Sequence, residues 1–163
     1  MPRRSLTSEQ VLTMLAATPP RIAALTAGLG PAHLRTTPPD GGWSAHEVLA
    51  HLRACADVWG DCIVAMIAHD RPTLRAVDPR TWIRQTDYLD QAFEPSLHAF
   101  ATQRTALLAV LEPLAPEGWS RAATVTGAGT VLERTVLSYA GWMAGHERPH
   151  LKQLERIVNT MRI

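Results

Sequence analysis

Cysteine is scarce in this 163-residue chain, which contains only Cys55 and Cys62. On one helix, a separation of seven residues corresponds to a rise of about 10 Å, which is too long for a disulfide between them. A framework of disulfides is therefore excluded. The sequence predicts a reduced, cytoplasmic protein.

Long runs of positive charge and of apolar residues are also missing. The formal net charge is +1, and no Lys/Arg run is long enough to bind a phosphate backbone, so we expect no nucleic-acid partner. No apolar run approaches the roughly 20 residues of a membrane span. We expect no signal peptide, because no apolar segment follows the arginines of residues 1–6. The length and the 46% of hydrophobic residues predict one globular domain over residues 1–163.

What the chain does contain is a histidine pair near its C-terminus, in the segment His146-Glu147-Arg148-Pro149-His150. Histidines four residues apart share one face of a helix, about 6 Å apart along its axis, so both imidazoles can reach one metal ion. The segment also matches H-E-x-x-H, the motif of zinc proteases.

Apolar residues recur at helical spacing in four segments, which predicts an all-α four-helix bundle. The first predicted helix starts near residues 5–8. The second starts at the capping box Ser44-x-x-Glu47 and ends near Ala68. The third and fourth span about Glu94–Leu114 and about Leu132–Thr160. We expect a kink or a break at Pro19-Pro20, a loop over residues 28–42, and a short helix from Asp78-Pro79. Residues 123–126 and 130–132 are compatible with a short hairpin before the last helix.

A third histidine belongs to the same pattern. His51 lies on or beside the apolar stripe of the second helix, and His146 and His150 lie on the stripe of the last one. A single histidine on such a face usually packs in the core. Three of them are costly to bury without partners, and one metal ion would satisfy all three.

The protease interpretation fails on the surrounding residues. Pro149 lies inside the motif, where such proteases need an uninterrupted helix. A third protein ligand is required, and too few residues follow His150 to supply one from another helix. Glu147 lies about 100° around the helix from His146, so it should point sideways. We interpret the match as accidental.

Two longer motifs carry a family resemblance. They are Trp43-Ser44-x-x-Glu47-Val48-Leu49-x-His51-Leu52 and, far downstream, His146-x-x-x-His150-Leu151-x-Gln153-Leu154. Together they resemble the DinB-like (DinB/YfiT) family of metal-dependent proteins, over nearly the whole chain. The resemblance implies an up-down-down-up bundle, frequent homodimers, and a divalent metal held by His51, His146 and His150. It implies neither DNA binding nor polymerase activity. Pro149 departs from the family pattern.

Three imidazoles leave coordination positions open, as in catalytic sites. The ion could activate water, giving a hydrolase, or bind a thiol as thiolate. Relatives suggested by the resemblance use bacillithiol, mycothiol or glutathione, which favours a thiol S-transferase acting on small electrophiles. A metal-dependent hydrolase and a non-catalytic metal-binding module are the alternatives. Zinc or nickel is the expected ion, with manganese and iron also compatible.

Other residues have two interpretations each. Arg104 interrupts the stripe of the third helix. It could bind a carboxylate of the substrate or of a thiol cofactor, or it could be a structural ion pair or a snorkelling surface residue. Tyr139 could donate a proton to the substrate or belong to the core. Cys55, one turn after His51, could be a fourth ligand or a small buried hydrophobe. Aromatic residues that could line a pocket or a dimer face are Trp59, Trp82 and Trp142. Histidines without a partner at ligand spacing are His33, His46, His69 and His98.

Overall fold

The computed structural model describes residues 4–162. Its helices and strands, in chain order, are α1 (Ser8–Thr26), α2 (Pro31–Arg35), α3 (Ala45–Ala68), β1 (Thr73–Arg75), α4 (Pro79–Trp82), α5 (Phe93–Leu111), α6 (Pro116–Trp119), β2 (Ala122–Thr126), β3 (Leu132–Thr135) and α7 (Val136–Met161). A 3₁₀ turn, Ile83–Gln85, follows α4. The protein is thus mostly helical but not all-α, because it also has a three-stranded sheet. None of the described helices is long and apolar enough to cross a bilayer.

The long helices α1, α3, α5 and α7 form the bundle. Helices α1 and α7 run parallel, since Arg162 at the end of α7 donates a hydrogen bond of 2.9 Å to the Leu25 carbonyl at the end of α1. Helix α3 is antiparallel to α7, because His51 near its start lies against His150 in the second half of α7, with ring centroids 4.8 Å apart.

Helices α3 and α5 run parallel. Near their starts, the Arg53 guanidinium donates to the Ser96 hydroxyl at 3.1 Å. About one turn further on, the Gln103 amide donates to Asp57 at 2.8 Å. Two parallel neighbours in sequence need a crossover, and residues 69–92 provide it. The four directions are therefore up, down, down and up, as the resemblance implies.

Helix α3 begins where its sequence predicts, whereas helix α7 begins later than predicted. Ser44 and Glu47 form the predicted capping box at the start of α3. Helix α7 starts at Val136, with Thr135 as its N-cap, and not near Leu132. The reason is that Leu132–Thr135 pairs antiparallel with β2 as a strand. The predicted hairpin is therefore present, and its second strand includes residues expected to be helical.

The two helices with a proline in their interior, α1 and α7, are continuous. Helix α1 passes through Pro19 and Pro20 without the break that was one of the two expected outcomes. Pro19 has no N–H for the Leu15 carbonyl, and the Arg104 guanidinium donates to that carbonyl instead, at 2.8 Å. Helix α7 likewise continues through Pro149, so the proline does not interrupt the helix as the protease argument assumed.

The short elements that were not expected include helix α2 and strand β1. Helix α2 lies within residues 28–42, which were predicted to be a loop. Strand β1 pairs parallel with β2, and the hairpin adds β3 on the other side, in the order β1-β2-β3. Neither short element has enough residues to show a periodic pattern, so tertiary packing decides its conformation.

Two apolar clusters fill the bundle, one beside the sheet and one at the opposite end. Members of the first are Leu15, Cys55, Leu107 and Met143, and members of the second are Ile22, Leu49, Phe100 and Leu154. On each long helix, polar residues lie in sequence between the members of the two clusters: Thr18 on α1, His51 on α3, Arg104 on α5, and His146, Glu147 and His150 on α7. The core is therefore crossed by a polar layer, and the candidate site belongs to it.

Candidate metal centre

The three predicted histidines meet in this layer, and we call them the histidine cluster. The Nε2 atom of His146 lies 3.4 Å from Nε2 of His51 and 3.3 Å from Nε2 of His150. The ring centroids are 4.6–5.2 Å apart. All three side chains are half-buried. The structure thus brings His51 from α3 together with the pair on α7, as the spacing predicts.

Gln153 fixes the tautomer of His150. The Nδ1 atom of His150 lies 2.8 Å from the Gln153 side-chain oxygen. That oxygen can only accept, so Nδ1 carries the proton and the Nε2 lone pair points into the cluster. Sequence analysis quoted Gln153 in a motif but gave it no role. Its position three residues after a ligand candidate, on the same helix face, was the available signal.

Burial keeps two of the imidazoles neutral. Together with a smaller contribution from a charge on His150, it lowers the pKa of His51 to about 4. Burial likewise lowers the pKa of His146 to about 4, again with contributions from the neighbouring histidines. Neutral imidazole is the form that binds a metal. The Nδ1 atom of His146 is buried and has no hydrogen-bond partner among residues 4–162.

Aromatic rings frame the cluster. Trp43, which precedes the capping box of α3, lies 4.9 Å from the His51 ring and stacks on His150 at 6.1 Å. Trp59 meets the His146 ring edge-on at 4.9 Å. These contacts restrict the ring orientations and exclude water from part of the site.

Hydrogen bonds cannot satisfy three converging Nε2 atoms, because one proton on His146 can serve only one neighbour. A metal ion can. Two nitrogens held tetrahedrally at about 2.05 Å from one ion lie about 3.3 Å apart. The observed 3.3 and 3.4 Å agree with that separation, so the residues present fit a divalent ion of zinc-like geometry.

Cys55 lies beside the histidine cluster. Its Sγ atom is 3.5 Å from Nε2 of His51, and ligand atoms of Cys55, His51 and His146 lie within 4.8 Å of one another. Burial raises the pKa of Cys55 to about 12, so the thiol is protonated when no ion is bound. By contrast, the thiol of Cys62 is paired with Tyr139.

Comparison with known proteins identifies the family to which this chain belongs. The sequence profile of the DinB superfamily matches residues 14–154. The chain belongs to the DinB superfamily. It is 24% identical over 145 residues to a Geobacillus thermodenitrificans protein named "Putative metal-dependent hydrolase", covering 85% of this chain and 78% of that one.

Two solved structures share the fold of this DinB-superfamily chain. YfiT from Bacillus subtilis, whose structure is described as "a probable metal-dependent hydrolase with an unusual four-helix bundle topology", has a TM-score of 0.80 at 20% identity, over 99% of this chain and 93% of that one. A Streptococcus pneumoniae protein has a TM-score of 0.64 at 11% identity, over 95% and 93%. The four-helix bundle is therefore shared across these relatives.

Arg104 and Glu147 form a second polar group in the same layer, which we call the ion-pair cluster together with Thr18. The guanidinium donates to both Glu147 oxygens, at 2.9 and 2.5 Å. The Thr18 hydroxyl donates to the same carboxylate at 2.8 Å. Arg104 and Glu147 are each only 3% exposed. The structure thus places Arg104 in a structural ion pair, and Glu147 faces away from the histidines, as its helical position predicts.

Tyr139 is buried and lies away from the histidine cluster. Burial raises its pKa to about 12, with a contribution from its hydrogen bond to Cys62. It lines a cavity of about 430 Å³ between α3, α7 and the hairpin. Trp59 lines the same cavity and also contacts His146. Trp59 therefore contacts both the cavity and the histidine cluster.

The remaining candidates have other roles. Trp82 donates a hydrogen bond of 3.0 Å to Asp57, and Trp142 stacks on Trp59 at 4.7 Å. His46 is buried and its Nε2 lies 2.9 Å from the Leu89 carbonyl, a structural contact. Side chains that sequence analysis missed are Asp78 and Arg80 at the start of α4, whose charges reach His51 and act on its pKa in opposite directions.

Proposed function

We propose that this protein is a metal-dependent hydrolase whose divalent ion, zinc or nickel, is held by His51, His146 and His150. The observation that carries the proposal is the pair of Nε2–Nε2 separations that join His146 to His51 and to His150, both of which match tetrahedral spacing. A divalent ion held in this way is a Lewis acid that activates water at neutral pH. The names of the Geobacillus and Bacillus relatives support the same reaction class.

The surrounding residues prepare the site. Gln153 holds the Nδ1 proton of His150 and so keeps its Nε2 lone pair available. Burial keeps His51 and His146 neutral. Glu147 cannot serve as general base, because Arg104 and Thr18 occupy its carboxylate. The ion would therefore have to activate water without the help that H-E-x-x-H proteases obtain from their glutamate.

The cavity beside Trp59 suggests the substrate class. Its walls are largely apolar, and Trp142 remains 50% exposed at its edge. Arg134 also lines it and forms no ion pair within residues 4–162. An apolar pocket with one available cation fits a small molecule with an apolar body and an acidic group. We propose such a molecule as the substrate.

Thiol transfer is the second candidate, and the occupied Glu147 carboxylate favours it. A coordinated thiol is already deprotonated, so it needs no protein base to attack. A bond would form between the thiol sulfur and the electrophilic carbon of the substrate, and the leaving group would depart with its electron pair. Bacillithiol, mycothiol and glutathione are the thiols to test.

The experiment compares both reactions on metal-loaded protein expressed without a tag. One panel contains carboxylate-bearing esters and amides, and the other pairs each thiol with small electrophiles. His51→Ala and His150→Ala should abolish turnover, and the exposed His98→Ala should not. Thiol-independent hydrolysis supports the hydrolase, whereas product formation only with a thiol supports the transferase. Turnover that survives both ligand substitutions, or protein that binds no divalent ion, would overturn the proposal. The predicted homodimer is tested on the same preparation by light scattering.

A further inference from the structure

The side of His51 that faces the proposed ion also faces a thiol. Cys55 follows His51 by one turn of α3 and is only 2% exposed. Its Sγ atom lies 3.5 Å from Nε2 of His51 but 4.0 Å from Nδ1. The sulfur is therefore on the Nε2 side of the ring, which is the side where the three imidazoles converge.

The sulfur–nitrogen separation is that of two ligands of one ion. A sulfur at about 2.3 Å and a nitrogen at about 2.05 Å from a tetrahedral ion lie about 3.6 Å apart. The observed distance is 3.5 Å. The neighbouring nitrogen–nitrogen distances of 3.3 and 3.4 Å match the same geometry. Each of these three separations therefore agrees with two ligands that share one ion.

We propose that Cys55 is the fourth ligand of the resting site, bound as a thiolate, and that water or substrate displaces it during turnover. On binding, the S–H bond breaks, a sulfur–metal bond forms and the proton passes to solvent, without any redox change. On displacement the sulfur–metal bond breaks, and the released thiolate takes up a proton from solvent or from the incoming water. The softness of the ligands favours this ligand set, since thiolate and imidazole together suit zinc and the neighbouring first-row metals. This inference rests on the proposed function, because it requires the divalent ion proposed there.

Cys62 is a thiol on the same helix that contacts Tyr139 and none of the proposed histidine ligands. It lies on the same helix and is also partly buried, but its partner is the Tyr139 hydroxyl and not an imidazole. It takes no part in the group of ligand atoms within 4.8 Å formed by His51, Cys55 and His146. Cys62→Ser is therefore the matched control for any substitution of Cys55.

Cobalt(II) substitution tests the ligand directly. A cobalt–thiolate bond gives a charge-transfer band in the near ultraviolet, seen as the difference between cobalt-loaded and metal-free protein, whereas imidazole ligands give only visible bands. We expect the charge-transfer band in the wild type and in Cys62→Ser. We expect its complete loss in both Cys55→Ser and Cys55→Ala, with the visible bands retained because three histidines still hold the ion. Two substitutions of different polarity separate ligand loss from a folding defect, which circular dichroism would detect.

The outcomes are distinct. Bound cobalt without a charge-transfer band in the wild type would overturn the role of Cys55 and leave the three-histidine ion intact. A band that survives in Cys55→Ser, or disappears in Cys62→Ser, would also overturn it. If wild-type protein binds no cobalt and no zinc, the proposed function fails and the inference fails with it.

Discussion

Helix α7 carries two polar groups side by side, and they differ in how far the protein itself satisfies them. His146 belongs to the histidine cluster, and Glu147, the next residue, belongs to the ion-pair cluster. Every oxygen of the Glu147 carboxylate accepts a hydrogen bond from Arg104 or Thr18. In the histidine cluster, by contrast, Nε2 of His146 faces two other ring nitrogens, and one proton can serve only one of them. The Nδ1 atom of His146 has no partner among the described residues.

The difference indicates what each cluster is for. A buried charge that is fully hydrogen-bonded needs nothing more, so the ion-pair cluster is complete within the protein. Half-buried imidazoles that converge with too few protons between them are incomplete, and the proposed cation would complete them. One residue of offset on a helix, about 100° of rotation, thus separates a structural site from the proposed ligand site.

The largest expected effect comes from breaking the complete cluster. Glu147→Ala should lower the free energy of unfolding by about 3–5 kcal/mol, because it leaves the buried Arg104 charge unpaired. Urea denaturation of the metal-free protein measures this loss. Replacing both partners, as Arg104→Met with Glu147→Leu, should restore much of the stability. Glu133→Ala, which removes the exposed pair with Arg71, should cost less than about 1 kcal/mol.

Two results would contradict the comparison. A cost of Glu147→Ala no larger than that of Glu133→Ala would mean that the buried pair is not a structural cluster. Loss of metal binding in the doubly substituted protein, despite a native fold, would mean that the two clusters on α7 do not have separate roles.

The second effect comes from the incomplete cluster. A divalent ion at 100 times its Kd should stabilise the wild type by about 2.7 kcal/mol, and His146→Ala should abolish that gain. In the metal-free state the same substitution should cost little, since it removes a poorly satisfied buried imidazole. Thermal melts with zinc and with chelator measure both quantities. A melting temperature of the wild type that zinc leaves unchanged would count against the assignment.

A smaller effect is expected at Gln153. Gln153→Ala removes the acceptor that orients His150, and loss of such a partner typically lowers metal affinity by about 10- to 100-fold. Competition with a chromophoric chelator measures the affinity. Lys152→Ala, an exposed neighbour on the same helix, is the control. Equal affinities of Gln153→Ala and the wild type would show that the hydrogen bond does not position the ligand.

Much of this arrangement could be predicted from local sequence. The capping box at Ser44 and Glu47 gives the start of α3, and the i, i+4 spacing with the apolar stripes identifies His51, His146 and His150 as one group. These signals work because helix periodicity and capping are local properties. The position of Glu147 around the helix was also enough to separate it from the histidines.

What could not be predicted depends on contacts between distant segments. The carboxylate of Glu147 finds Arg104 on another helix, and Arg104 in turn satisfies the Leu15 carbonyl that Pro19 leaves free. No local pattern shows that a proline on α1 is compensated from α5. Strand β1 is similarly set by its pairing with β2, and the N-terminal limit of α7 by the pairing of β3.

The smallest expected effect is a pH dependence that belongs to the histidine cluster alone. In the folded, metal-free protein the pKa values of His51 and His146 are lowered from 6.5 to about 4. Between these values the unfolded chain binds more protons, so stability is complete above about pH 6.5 and falls as the pH approaches 4. The effect is expected to be smaller than these pKa values alone would give, because solvent screens both half-buried rings. The double variant His51→Gln with His146→Gln should therefore lose less unfolding free energy between pH 7 and pH 5 than the wild type does. Urea denaturation with chelator measures this loss, and His98→Gln should follow the wild type.

Parallel curves for the double variant and the wild type would mean that the two imidazoles are no harder to protonate in the folded protein than in the unfolded one. The contrast between an incomplete and a complete polar cluster would then lose its electrostatic basis.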